Sequence, residues 1–142
     1  MKTFEVWKLP DVLIVHLDRF EFKDADRTDK LDTLVDFPLE EGLDLNVHCA
    51  SIGNPSLTLV DDGVPAIYDC FAVVNHIGRT ISSGLYTAFA RAWDATGFSN
   101  EWSKFDDSIV QNVDNVRGSV VSPDVYILLY SRRRTFNQMH LK

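Results

Sequence analysis

Short apolar segments recur along this chain at spacings of about ten residues, each bounded by turn-forming residues. Spacing that tight leaves no room for crossover helices, so the chain reads as α+β and mostly antiparallel β. The run 12–17 (Val12, Leu13, Ile14, Val15, His16, Leu17) is nearly all apolar, which predicts a strand buried on both faces. Residues 68–75 predict another, with Cys70, Ala72 and Val74 on one face and Phe71 and Val73 on the other. Residues 85–93 alternate more clearly: Leu85, Thr87, Phe89 and Trp93 against Tyr86, Ala88, Ala90 and Ala92. The runs 102–105 and 125–130 complete the set. Ile109, Val113 and Val116 fall at helical spacing and predict one short helical turn over 108–116. Two stretches read as loops: the polar run 24–30, and 51–65 with Gly53, Pro55, Gly63 and Pro65. With no internal repeat, the 142 residues are read as a single domain.

The formal net charge is -7, and the only basic cluster is Arg132, Arg133 and Arg134. That balance argues against nucleic acid or an anionic membrane as a partner. No apolar run approaches the roughly 20 residues that span a bilayer, and the start, Met1-Lys2-Thr3-Phe4-Glu5, carries acid where a signal peptide would be apolar. A soluble, intracellular protein is the expectation. Cys49 and Cys70 are too few for a disulfide scaffold and are read as reduced thiols, Cys70 within a strand core. His16 reads as a core histidine. His48 and Cys49 are adjacent and would point to opposite faces of a strand, a poor chelate; no metal and no cofactor is expected. The run 24–30 lacks the central glycine of a calcium loop, and the serine-hydrolase elbow and the nucleotide-binding glycine motifs are absent too.

Asp94-Ala95-Thr96-Gly97 is turn-like and lies between two predicted strands. A hairpin centred between Ala95 and Thr96 would set Leu85 opposite Asp106, with a bulge in the connection able to slip that register. Asp106 and Asp107 would then lie beside the start of the preceding strand.

Five blocks carry a resemblance. Trp7-Lys8-Leu9-Pro10-Asp11-Val12-Leu13-Ile14-Val15-His16-Leu17-Asp18-Arg19-Phe20 resembles the L-P-x-x-L-I-x-H-L-K-R-F block of the ubiquitin-specific proteases, which are papain-like deubiquitinases. Lys30-Leu31-Asp32-Thr33-Leu34-Val35-Asp36-Phe37-Pro38 is similar to the K-L-D-T-L-V-D-F-P of the branch that carries an insertion in its catalytic domain. Tyr68 to Gly78 resembles Y-x-L-x-A-V-x-N-H-x-G; Trp102-Ser103-Lys104-Phe105-Asp106-Asp107-Ser108 resembles W-x-x-F-D-D-S; and Tyr126-Ile127-Leu128-Leu129-Tyr130 resembles the closing strand. The blocks occur in family order over residues 7–133.

The resemblance implies the C-terminal, histidine-box segment of such a catalytic domain. This is the palm part of a papain-like cysteine protease fold, with the helical, cysteine-bearing half absent. The family's G-G-H-Y-T-A box supplies the general base, and here it reads Ser83-Gly84-Leu85-Tyr86-Thr87-Ala88, with Leu85 at the histidine position. Asp106 matches the acid that orients the imidazole, and Asp107 is the acid next to it. Ser83, Gly84 and Tyr86, with the 77–84 loop, match elements that line the channel for the Gly-Gly tail of ubiquitin. His76 belongs to the same segment, and its family counterpart is structural. Leucine can neither take nor give a proton, so the expectation is a segment of a thiol-dependent deubiquitinase that is inactive as given. The alternative is a ubiquitin-binding pseudoprotease or scaffold. The partners implied are ubiquitin and the missing N-terminal half, with self-association through apolar surface such as Phe89 and Trp93. The cytoplasm or nucleus is the expected location.

Overall fold

The computed structural model describes residues 2, 4–24, 27–49, 64–94 and 97–133. Among the described residues nine strands follow in order: β1 (Val12–His16), β2 (Phe20–Asp24), β3 (Arg27–Lys30), β4 (Leu43–Asp44), β5 (Ile67–Thr80), β6 (Ser83–Asp94), β7 (Gly97–Asp106), β8 (Ile109–Val113) and β9 (Val125–Arg132). One five-residue helix, α1 (Val116–Val120), precedes β9. A seven-stranded antiparallel sheet runs β1-β9-β5-β6-β7-β8, with β4 paired to β5, while β2 and β3 form a separate hairpin. The mostly antiparallel reading holds.

One face of the large sheet carries the core. Tyr68, Cys70 and Val73 of β5, Phe89 of β6, Trp102 of β7 and Leu128 and Tyr130 of β9 are buried there under Leu9, Phe37, Leu39 and Val120. The cover is irregular backbone, so polar anchors hold it. The Tyr68 hydroxyl donates to the Pro10 carbonyl at 2.6 Å, and the Tyr130 hydroxyl to that of Pro38 at 2.9 Å. The α1 helix presses Val120 onto the same core, its start capped by the Asn115 side chain, which accepts from Gly118 N–H at 3.1 Å.

Several sequence expectations need correction. The first strand is not buried on both faces: β1 is an edge strand, with Val12 51 % and Ile14 61 % exposed, and His16 is exposed rather than in the core. The strict alternation over 68–75 fails at Phe71. Cys70 pairs with Tyr130 but Ala72 with Leu129, so Phe71 is an extra residue on β5. Such a bulge moves the inward set from Tyr68 and Cys70 to Val73 and Asn75. Of the polar run 24–30, Asp24 and residues 27–30 belong to the β2–β3 hairpin, where Lys23 and Asp29 pair across the strands at 3.1 Å. The helical turn over 108–116 is instead β8, and the helix begins at Val116. The 51–65 loop lies outside the described residues except for Val64 and Pro65. Both cysteines are free thiols, and Cys70 is buried within β5.

Candidate functional site

The β5–β6 turn and the β7–β8 turn lie at the same end of the sheet, and the residues singled out from sequence cluster there. Leu85 pairs directly with Ile77 of β5, and each is 41 % exposed. Asp106 closes β7 by pairing with Ile109 of β8.

The expected pairing of Leu85 with Asp106 is off by two residues. Near the turn, Trp93 faces Phe98 and Asp94 faces Gly97, as a plain hairpin requires. A bulge between Arg91 and Trp93 then sets Arg91 against Trp102, two residues beyond the plain register, and the shift persists to Ala88 and Phe105. One step further along that ladder brings Asp106 beside Thr87. A shift of two preserves the face, because side chains alternate with period two. Leu85 and Asp106 are therefore diagonal neighbours on one face, a relation that separates residues by about 7–8 Å.

The surroundings of Asp106 are specific. Lys104, on the same face of β7, brings its Nζ to 3.7 Å from the Asp106 carboxylate, with both side chains 33 % exposed. Thr87 is buried and pairs in register with buried Asn75. Thr87 Oγ1 and Asn75 Oδ1 have no hydrogen-bond partner among the described residues, so a polar floor underlies Leu85. Asp107 is exposed at the tip of the β7–β8 turn, with φ of 49°. That left-handed conformation is one that aspartate tolerates better than most residues.

On the β5–β6 side, Tyr86 is 53 % exposed and Ser83 lies at the surface, its hydroxyl 2.6 Å from that of Thr80. His76 is only 1 % exposed and backs this surface rather than forming it. Its ring lies 4.9 Å from that of Tyr86 and 5.3 Å from that of Phe20, both edge-on. Tyr126 is the extra residue of a bulge on β9, and its ring meets those of His16, Phe20, His76 and Tyr86. Gly84 is obligatory at this spot. A Cβ there would stand 2.5 Å from His76 Nε2 and 2.9 Å from the Ile77 carbonyl oxygen.

Neither thiol is activated. Burial pushes Cys70 up to about 12 and also raises Cys49. Cys70, buried within β5, is a core packing group, not a nucleophile. Among the described residues, no group of three His, Cys, Asp or Glu side chains could hold a metal.

Comparison with known proteins identifies the family. The family described as "Ubiquitin carboxyl-terminal hydrolase" matches residues 2–130. The chain belongs to that family. Human ubiquitin carboxyl-terminal hydrolase 15 is 40 % identical over 136 residues, which cover 96 % of this chain and 12 % of that protein. Human ubiquitin carboxyl-terminal hydrolase 19 is 39 % identical over 137 residues, covering 94 % and 10 %. The chain thus spans about an eighth or less of the curated relatives it matches. Among solved structures, the Ubp8-Sgf11-Sgf73-Sus1 SAGA DUB module contains a chain similar at a TM-score of 0.68 and 30 % identity, over 92 % of this chain and 26 % of that one. A SAGA DUB module bound to ubiquitin aldehyde gives 0.67 and 28 %, over 89 % and 25 %. The fold is accordingly part of a ubiquitin-specific protease catalytic domain.

Sequence reasoning did not find Lys104 as the partner of Asp106, nor the polar Asn75–Thr87 pair. Lys104 stands two residues before Asp106 in a strand, a spacing that signals a shared face. The two-residue slip had no such signal, since it depends on a bulge that the alternation does not reveal.

Proposed function

We propose that this chain is a segment of a deubiquitinase catalytic domain that presents the ubiquitin-tail end of the site without the proton transfer the reaction needs. In the family reaction a cysteine thiolate attacks the carbonyl carbon after the last glycine of ubiquitin. The general base takes the thiol proton and passes it to the leaving amine; water then hydrolyses the acyl-enzyme and regenerates the thiol. Leu85, at the base position, has no lone pair and no transferable proton. Loss of one member of such a unit costs on the order of 10³ or more in turnover. The nucleophile itself would come from sequence outside the five blocks, since burial raises both thiols, Cys70 to about 12.

The observation that carries this reading is the pairing of Leu85 with Ile77 at the end of the sheet where β7 closes on Asp106. On the family resemblance, that apolar pair stands where an imidazole would meet a carboxylate. Lys104 favours a second, related reading as a ubiquitin-binding scaffold. It already neutralises Asp106, so the carboxylate has a charge partner that needs no histidine. The solved relative bound to ubiquitin aldehyde supports ubiquitin as the ligand, and that ligand implies a cytoplasmic or nuclear setting.

The test is chemical. The chain should release no fluorophore from a ubiquitin amide, and Leu85→His should restore turnover only when a cysteine-bearing N-terminal half is supplied. Turnover by the unmodified chain that a thiol alkylator abolishes would overturn the reading. For binding, a titration with ubiquitin should shift the amides of residues 84–88, and a flat titration would remove the scaffold reading.

A further inference from the structure

The β2–β3 hairpin stands apart from the main sheet, yet one of its lysines is buried against the site. The Lys30 side chain is only 4 % exposed, and its ammonium donates to the His76 carbonyl and to Asp124 Oδ1, each at 2.6 Å. The same backbone is held a second time, because His76 N–H donates to the Asp124 carbonyl at 2.9 Å. A third contact is Phe20, the first residue of the hairpin, edge-on to the His76 ring at 5.3 Å. A buried ammonium is costly unless fully paired, and a charge-assisted bond to a carboxylate is roughly twice as strong as a neutral one. Lys30 therefore fixes the main chain at His76 rather than decorating it.

What His76 touches on its other side is the turn into β6. Its Nε2 lies where a Cβ on Gly84 would be 2.5 Å away, and its Cε1 lies 3.3 Å from the corresponding point on Gly78. Gly78 in turn has no room for a side chain against the Ser83 carbonyl oxygen at 2.6 Å. The histidine is a wedge with the hairpin behind it and the 78–84 turn in front. Tyr86, half-exposed at the candidate channel, rests on the same ring at 4.9 Å.

We propose that Lys30 is a positioning residue: by clamping the His76 carbonyl to Asp124 it holds the imidazole under Gly84 and Tyr86, so the β2–β3 hairpin sets the path of the 78–84 turn. The functional consequence rests on the ubiquitin-tail reading of that turn; the mechanical coupling does not.

Hydrogen exchange on the full chain without ubiquitin tests the coupling. Lys30→Met should speed exchange of the 77–86 amides roughly tenfold while the β7–β8 amides keep their rates, as a local opening requires. Asp124→Asn, which leaves Lys30 an uncharged acceptor, should give a smaller change in the same segment. If Lys30→Met fails to fold, Asp124→Asn and Phe20→Leu carry the same comparison. Unchanged exchange at 77–86, or equal acceleration across β7 and β8, would overturn the clamp. A subsequent ubiquitin titration of Lys30→Met tests only the consequence. Weakened binding supports it, and unaltered binding with accelerated exchange overturns the link to the site but not the clamp.

Discussion

At Gly84 the absence of a side chain decides the local structure, because the His76 ring fills the volume a Cβ would take. Gly84→Ala should lower stability by about 1–3 kcal/mol, the usual range for overpacking, as read from urea unfolding. Cys70 makes a different prediction. Its folded-state value is raised to about 12 by burial, whereas an unfolded thiol ionises near about 8.5. The unfolded chain sheds this proton first as pH rises. The stabilising contribution is whole below about 8.5 and is lost as pH climbs from there towards 12. Burial raises Tyr130 as well, which adds loss in the same direction at higher pH. Thermal stability should therefore fall between pH 9 and 11, by at most about 1.4 kcal/mol per pH unit for one group. Cys70→Ala should show a shallower slope over that window, even though its midpoint is lower throughout; equal slopes would show that the thiol is not the titrating group.

At the level of elements, long strands with β-branched and aromatic residues were legible in the sequence, and β5, β6, β7 and β9 all lie where their periodicity places them. What periodicity cannot show is where an extra residue enters. Phe71, Tyr126 and the bulge between Arg91 and Trp93 each displace a register without altering composition, and the last moves Asp106 from opposite Leu85 to diagonal from it. The β2–β3 hairpin was illegible for another reason. Only β3 is wholly polar; β2 alternates over just Phe20, Glu21, Phe22 and Lys23, too short a run to stand out beside the polar residues that follow. Besides the ring of Phe20, buried polar side chains attach the segment around it. Arg19, 3 % exposed, donates to the carbonyls of Val125 at 2.9 Å, Leu31 at 3.0 Å and Thr33 at 2.5 Å, tying β9 to the chain that leaves β3. Arg19→Met should cost about 2–4 kcal/mol, since each carbonyl left unpaired loses roughly 1–3 kcal/mol where it stays buried. Equilibrium unfolding measures the loss, and a neutral result would mean that water replaces the guanidinium.

For the whole molecule, the face of the sheet turned away from the core is the unresolved physical problem. Side chains on that face form two rows that cross six strands. One runs Ile14, Leu129, Ala72, Ala90, Ser103, Asn112, and the other His16, Ile127, Val74, Ala88, Phe105, Val110. Ile14, Phe105 and Val110 are 61 %, 40 % and 58 % exposed, and the aliphatic residues between them are partly buried. A continuous apolar strip of that kind is uncommon on a protein that stands alone. The expected packing of Phe89 against another copy does not follow, because Phe89 is 5 % exposed within its own core. The strip is the better candidate for association, and Trp93, 55 % exposed at the opposite end of β6 from the site, remains accessible. On these grounds the isolated chain should sediment as an associated species, with a mass that rises with concentration. Phe105→Lys combined with Val110→Lys introduces two neighbouring cations into the second row, and like charges directly opposite in a strand pair repel. Both positions are exposed, so the melting midpoint should fall by no more than such a pair costs, roughly 0.2–1 kcal/mol, while the sedimentation profile shifts towards the monomer. Association that survives both lysines would mean that the sheet edges at β1 or β8, rather than this face, bring the copies together.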